Sequence, residues 1–267
     1  VWVAGTLMSA QPVAVVTGGA SGIGASMGSA LRDTGFDVFV LDSNLELVAQ
    51  YNDTHPLSRA RPCDVSDALS VLAEVKAVIN VTGRVDLLVN NAGISGPTAP
   101  VEAISPEAWQ KTLDIGLTGA FNAARAVVPI MKAQGSGAIV NIASNAGLMG
   151  CPNRSPYVAA KWALIGLTKT WAMELGSYNV RVNALCPASV EGARIDAVIA
   201  RDATARGVSE DAIRSVYERQ SSLRAFTRVE DIAAMVCYLA GDQGIRISGQ
   251  AIGIDGHTET LANYLGP

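Results

Sequence analysis

Two side chains four positions apart carry the clearest chemistry in this chain. Tyr157 and Lys161, in the run Tyr157-Val158-Ala159-Ala160-Lys161, share one face of any helix that contains them. A phenol ionises near pH ~10 in water. A cation beside it stabilises the phenolate and lowers that value, so the oxygen can take or give a proton near neutrality. Ser144 lies 13 residues upstream of Tyr157. Its hydroxyl can donate to a carbonyl or alkoxide oxygen. Taken singly, the pair is also what a solvated helix face carries, and the serine is what a turn or helix cap carries. Together the three residues describe proton transfer at an oxygen-bearing carbon.

A second cluster handles phosphate. Thr17-Gly18-Gly19-Ala20-Ser21-Gly22-Ile23-Gly24 follows an apolar run and opens a helical pattern. Glycines at 18, 22 and 24 let the backbone turn sharply and approach a pyrophosphate, which the free N–H groups of the following helix attract. Asp42 stands 18 residues after Gly24, close to the ~20 expected of a carboxylate that binds the adenosine ribose hydroxyls. A plain tight turn and a solvated acid are the alternatives for each feature alone; the combination reads as a dinucleotide site. Asp42 repels a 2′-phosphate, and no Lys or Arg lies within 18–24 or in Ser43-Asn44-Leu45. The expected cofactor is therefore NAD rather than NADP, and the expected direction is oxidation.

These residues need a scaffold, and the apolar pattern supplies one. Strands are expected at 12–17, 38–42, 59–63, 86–90, 137–143, 180–185 and 250–255. Helices are expected at 21–34, 44–53, 66–82 (capped by Ser66), 106–133, 155–176 and 229–240, with a polar, helix-prone stretch at 191–228. Alternating strands and helices with nearly all-apolar strands imply a parallel sheet covered on both faces, doubly wound by right-handed crossovers. Ligands bind such a sheet outside the carboxyl ends of its strands. Every motif named above falls there.

The spacing of the glycine-rich turn resembles that of the short-chain dehydrogenase/reductase family, and the resemblance runs from about residue 12 to 255. Asp64-Val65 resembles the family's Asp-Val pair beside the adenine, and Asn90-Asn91-Ala92-Gly93 its NNAG motif, which supports the sheet and lies along the cofactor. Ser144, Tyr157 and Lys161 match its Ser…Tyr-x-x-x-Lys arrangement. The resemblance implies a single Rossmann-type domain over 1–267, with about seven strands and a substrate lid at 191–228. It implies hydride transfer between nicotinamide and a secondary alcohol or ketone. Ser144 would orient the substrate oxygen, Tyr157 would be the general acid/base, and Lys161 would bind the nicotinamide ribose and lower the tyrosine pKa. It also implies a homotetramer, with the helices at 106–133 and 155–176 and the last strand at its interfaces.

Three positions depart from that pattern. Gly116 stands where the family often has an asparagine that helps hold a water in the proton relay; a weakened relay follows. Ala188 and Gly192 replace the usual glycine and threonine after strand six, so a nicotinamide amide contact is either lost or supplied by the backbone of Val190, three residues past Pro187. Asn122 is six residues past Gly116 and faces another way. These departures motivate a rival reading, a dinucleotide-binding sensor or scaffold with impaired catalysis. A second rival is an enzyme in which hydride transfer is one part of an epimerisation or dehydration.

Substrate contacts are expected from Asn145, Arg154 and Arg194, with residues 94–98 as another wall. The lid holds seven arginines, at 194, 201, 206, 214, 219, 224 and 228. They either recognise an anionic substrate or form solvated faces paired with Glu210, Asp211 and Glu218. The remaining composition sets limits. A net charge of −4 argues against a nucleic-acid surface. Four scattered cysteines without a CxxC pair and two histidines suggest reduced thiols in a cytoplasmic protein and no metal cluster. No apolar run is long enough to span a bilayer.

Overall fold

The computed structural model describes residues 11–55 and 59–261; the apolar start at 1–10 lies outside them. Seven parallel strands form one sheet in the order β3-β2-β1-β4-β5-β6-β7. They are β1 (Val13–Thr17), β2 (Asp37–Asp42), β3 (Arg59–Pro62), β4 (Leu87–Asn90), β5 (Gly137–Ile142), β6 (Val180–Pro187) and β7 (Ala251–Ile254). The order reverses at β1, which pairs with both β2 and β4. That is where a crevice opens at the carboxyl edge.

Alternation along the strands divides the core into two layers. Ala14 and Val16 face one side, where α1 (Gly22–Asp33) and α9 (Val229–Ala240) contribute Met27, Leu31, Ile232 and Val236. Val13 and Val15 face the other, against Val71, Val75 and Val78 of α3 (Ala68–Thr82) and Ala123, Val127 and Met131 of α5 (Gly119–Gln134). Burial of these side chains on both faces is what holds a parallel sheet. α2 (Leu45–Thr54) follows β2 and is capped by the Asn44 side chain.

Two local expectations are corrected. The cap of α3 is Asp67, whose carboxylate accepts from Leu69 N–H at 2.9 Å, not Ser66. Ser66 instead donates from N–H and hydroxyl to Asp64. The single helix expected at 106–133 is two, α4 (Pro106–Leu113) and α5, joined by a π-helical turn over Asp114–Thr118 that contains Gly116. A residue with no Cβ relaxes the helical constraint there, and such turns concentrate at functional sites. The stretch at 191–228 contains α7 (Ala193–Arg206) and α8 (Glu210–Glu218), with a small core of Ile195, Ile199, Ala203 and Ile213.

Candidate active site

The glycine-rich turn is fixed from below. Gly18 has φ +58° and lies so close to Ala92 that an added Cβ would stand 2.8 Å from its Cα. A Cβ on Gly24 would stand 2.3 Å from Gly18 O. Asn91 clamps the turn, donating from Nδ2 to Thr17 O at 3.1 Å and Gly18 O at 2.7 Å. Thr17 Oγ1 accepts from the N–H groups of Asn91 and Ala92, both at 3.1 Å. The Thr17 hydroxyl, which its place in the motif alone does not single out, ties β1 to the turn after β4. Gly22 has φ +52° and open space beyond it, and Ser21 occupies the N-cap position of α1. The cradle thus has close backbone packing beneath and room above, which fits a pyrophosphate. Ile23 packs against the core behind it.

Asp42 ends β2, and its two carboxylate oxygens accept from Ala20 N–H at 3.2 Å and Asn44 N–H at 3.0 Å. The carboxylate is held in place beside the turn. Asp64 is exposed just past β3, whereas the Val65 side chain is buried in the core. Asn122 donates to Val65 O at 2.9 Å, so its amide braces this loop away from the relay. Gly93 lies over Lys161, with an ideal Cβ 3.7 Å from Nζ. Pro187 closes β6, and Val190 bridges to Thr227 through the flanking peptides, Thr227 N–H to Ser189 O and Glu191 N–H to Thr227 O.

The catalytic candidates come together at the ends of β5 and α6 (Ser155–Leu175). Pro156 in the first turn of α6 suits the fixed proline φ, and the helix runs to Gly176. Lys161 Nζ donates to Ile142 O at 2.7 Å and lies 5.6 Å from the Tyr157 ring centre. Burial pushes the Tyr157 phenol up. The charge of Lys161, a hydrogen bond with Ser144, and the charges of Arg194 and Arg154 together outweigh it, so its pKa falls below the ordinary value. Burial lowers the Lys161 pKa, and the adjacent Tyr157 partly restores it. Ser144 donates to Asn145 Oδ1 at 3.1 Å and accepts from Ala146 N–H at 3.2 Å.

Asn145 was expected to meet substrate. Its oxygen is engaged by Ser144 and its Nδ2 donates to Thr258 Oγ1 at 3.0 Å, so it holds the serine from behind. Thr258, 113 residues away in sequence, had no local signal that could have found it. Arg154 crosses the Tyr157 ring at 4.9 Å and donates to Ser95 O at 3.0 Å. Arg194 donates to Ser95 Oγ at 2.6 Å. Four of the other six lid arginines find acids, but not the three expected: Arg206 pairs with Asp202, Arg214 with Asp196, Arg224 with Glu259 and Arg228 with Asp231, while Arg201 donates to Ala197 O. The four cysteines are free, with burial pushing the Cys186 thiol up to about 11. Among the described residues no helix is long and apolar enough to cross a membrane.

Comparison with known proteins agrees with this geometry. Residues 12–203 match the family model for short chain dehydrogenases. A D-beta-hydroxybutyrate dehydrogenase of Rhizobium meliloti (strain 1021) is 33% identical over 91% of this chain and 96% of its own length. An NAD+-bound xylitol dehydrogenase structure superposes with TM-score 0.86 at 30% identity, covering 91% of this chain and 97% of that one. An actinorhodin polyketide ketoreductase carrying a Phe-to-Trp change, solved with NADPH, gives TM-score 0.88 at 32% identity, over 95% and 98%.

Proposed function

The chain belongs to the short-chain dehydrogenase family, and on that premise we propose that it is an NAD-dependent dehydrogenase that oxidises a secondary alcohol to a ketone. The observation that carries the reading is Lys161 Nζ held 5.6 Å from the Tyr157 ring centre, with Ser144 and Lys161 both lowering the Tyr157 pKa, beside a glycine-rich cradle.

Gly18, Gly22 and Gly24 with the N-terminus of α1 would hold the pyrophosphate, Asp42 the adenosine ribose, and Lys161 the nicotinamide ribose. Asp64, Val65, Asn91, Ala92, Gly93, Pro187 and Val190 line the remaining path. A nicotinamide dinucleotide held there would supply the acceptor for the hydride that leaves the carbinol carbon. The protein handles the proton. Tyr157, its pKa lowered by the neighbouring cations, removes it from the substrate hydroxyl. Rotation about the Ser144 Cβ–Oγ bond moves the serine proton from Asn145 Oδ1 to the substrate oxygen. Ile142 O keeps the Lys161 ammonium beneath the tyrosine.

The NAD preference is supported by Asp42 and by the engagement of nearby cations elsewhere: Arg59 pairs with Asp37 and Arg61 with Glu74. The hydroxy-acid relative, the NAD+-bound polyol dehydrogenase and the NADPH-bound ketoreductase all handle hydroxyl or keto groups by name, so the family leaves the cofactor to be measured. The test is kcat/KM with each cofactor. The wild-type chain favours NAD, and Asp42→Ala narrows the ratio by about tenfold or more, the scale of one lost charge-assisted contact. A wild-type preference for NADP would overturn the assignment.

A homotetramer in the cytoplasm completes the proposal. Its support is apolar surface on the expected interface helices: Trp109 of α4, Phe121 of α5, and Trp162 and Met173 of α6 are all exposed in the single chain.

A further inference from the structure

Two guanidinium groups from different elements meet beside the catalytic phenol. Arg154 immediately precedes α6 and Arg194 sits in the first turn of α7. Both donate to Ser95, Arg154 to its carbonyl at 3.0 Å and Arg194 to its hydroxyl at 2.6 Å. Arg154 lies 4.9 Å above the Tyr157 ring, and the charge of Arg194 bears on both Tyr157 and Lys161. With Lys161, three cations therefore face one small region.

Among the described residues no carboxylate forms an ion pair with any of the three, whereas Arg206, Arg214, Arg224 and Arg228 each pair with a carboxylate. Arg154 Nε is buried without a hydrogen-bond partner. A buried donor left unmade is costly, and like charges held together repel. An anion that enters with the substrate relieves both. A planar carboxylate matches the guanidinium fork, and two forks anchored on a shared serine would fix its orientation.

We propose that Arg154 and Arg194 form a carboxylate clamp, so that the substrate is a short hydroxy acid and the product its keto acid. The inference rests on the dehydrogenase reading above and deepens it. The bonds broken and formed are those of that oxidation; the clamp adds no step, but sets which carbinol carbon lies at Tyr157 and Ser144.

The test pairs charge with shape. Hydroxy acids of four to seven carbons, with the hydroxyl at positions two to four, are compared with their methyl esters and with phosphate esters of similar length. Steady-state oxidation is measured, and each compound is also titrated calorimetrically into enzyme saturated with NADH, where no turnover occurs. The expected result is a preference for an acid over its ester of about tenfold or more, collapsing in Arg194→Gln and in Arg154→Gln. NADH affinity in both variants stays near that of the wild type.

Other outcomes separate the claims. Equal use of acids and esters, or preference for the phosphate esters, overturns the clamp and leaves the dehydrogenase reading intact. A raised NADH Kd in Arg194→Gln with an unchanged acid-to-ester ratio also overturns it, assigning the arginine to the cofactor. Carboxylate binding that depends on both arginines, without turnover of any compound, upholds the clamp and removes the dehydrogenase reading. Neither binding nor turnover overturns both.

Discussion

Replacing Gly116 by alanine, in the π-helical turn, stabilises the fold. Gly116 is buried, its backbone is not in the left-handed region, and an ideal Cβ would meet only the Ala160 Cβ, at 3.6 Å. That is ordinary van der Waals contact, so the methyl fits without displacement. Alanine is favoured over glycine in a helix by ~0.8–1.0 kcal/mol. Burying one more carbon adds ~0.8 kcal/mol. A π turn realises the helical preference incompletely, so the net expectation is about 1 kcal/mol, or a Tm rise of about 2–4 °C. Urea unfolding with an unchanged m-value checks it. Gly24→Ala is the control, because its Cβ would stand 2.3 Å from Gly18 O and 2.7 Å from Gly19 Cα. That variant loses about 1–3 kcal/mol by overpacking and weakens dinucleotide binding. A destabilised Gly116→Ala, or a neutral Gly24→Ala, would refute the reasoning from Cβ positions.

Two further outcomes follow from the same site. Gly116→Asn places an amide in the turn beside the Tyr157 helix and restores the family's usual residue, so kcat rises; an unchanged kcat would show that the proton relay does not pass through a side chain here. Lys161→Met removes the largest charge that lowers the Tyr157 pKa and leaves burial to raise it. The phenol then ionises only at higher pH, so the rising limb of oxidation kcat, at saturating cofactor, moves to alkaline pH; an unmoved limb would assign it to another group.

The parallel sheet was legible because its signal is local: short apolar runs such as Val13–Thr17 end in glycines or acids, and helices of amphipathic period fill the gaps. The same holds for the site. Tyr157 and Lys161 meet because a helix brings i and i+4 together, and Gly18 to Gly24 form one continuous turn. Where a feature rests on distant partners the sequence was silent. Asn145 is fixed by Thr258, and Arg224 pairs with Glu259 across the lid. The break at Asp114–Thr118 was hidden for another reason. A π turn adds one residue to a turn, which leaves the apolar pattern from 106 to 133 readable as one helix. Asp67 displaced Ser66 as the cap because both are capping residues, and Ser66 is held by Asp64.

The central claim is that Tyr157 moves the substrate proton in a nicotinamide-dependent oxidation. Its most direct test presents purified protein with NAD and NADP separately, against a broad set of secondary alcohols including hydroxy acids, and follows the appearance of reduced cofactor. The account predicts turnover with NAD that Tyr157→Phe abolishes while cofactor binding persists. Turnover that survives in Tyr157→Phe, or firm NAD binding with no turnover across the whole set, would contradict it.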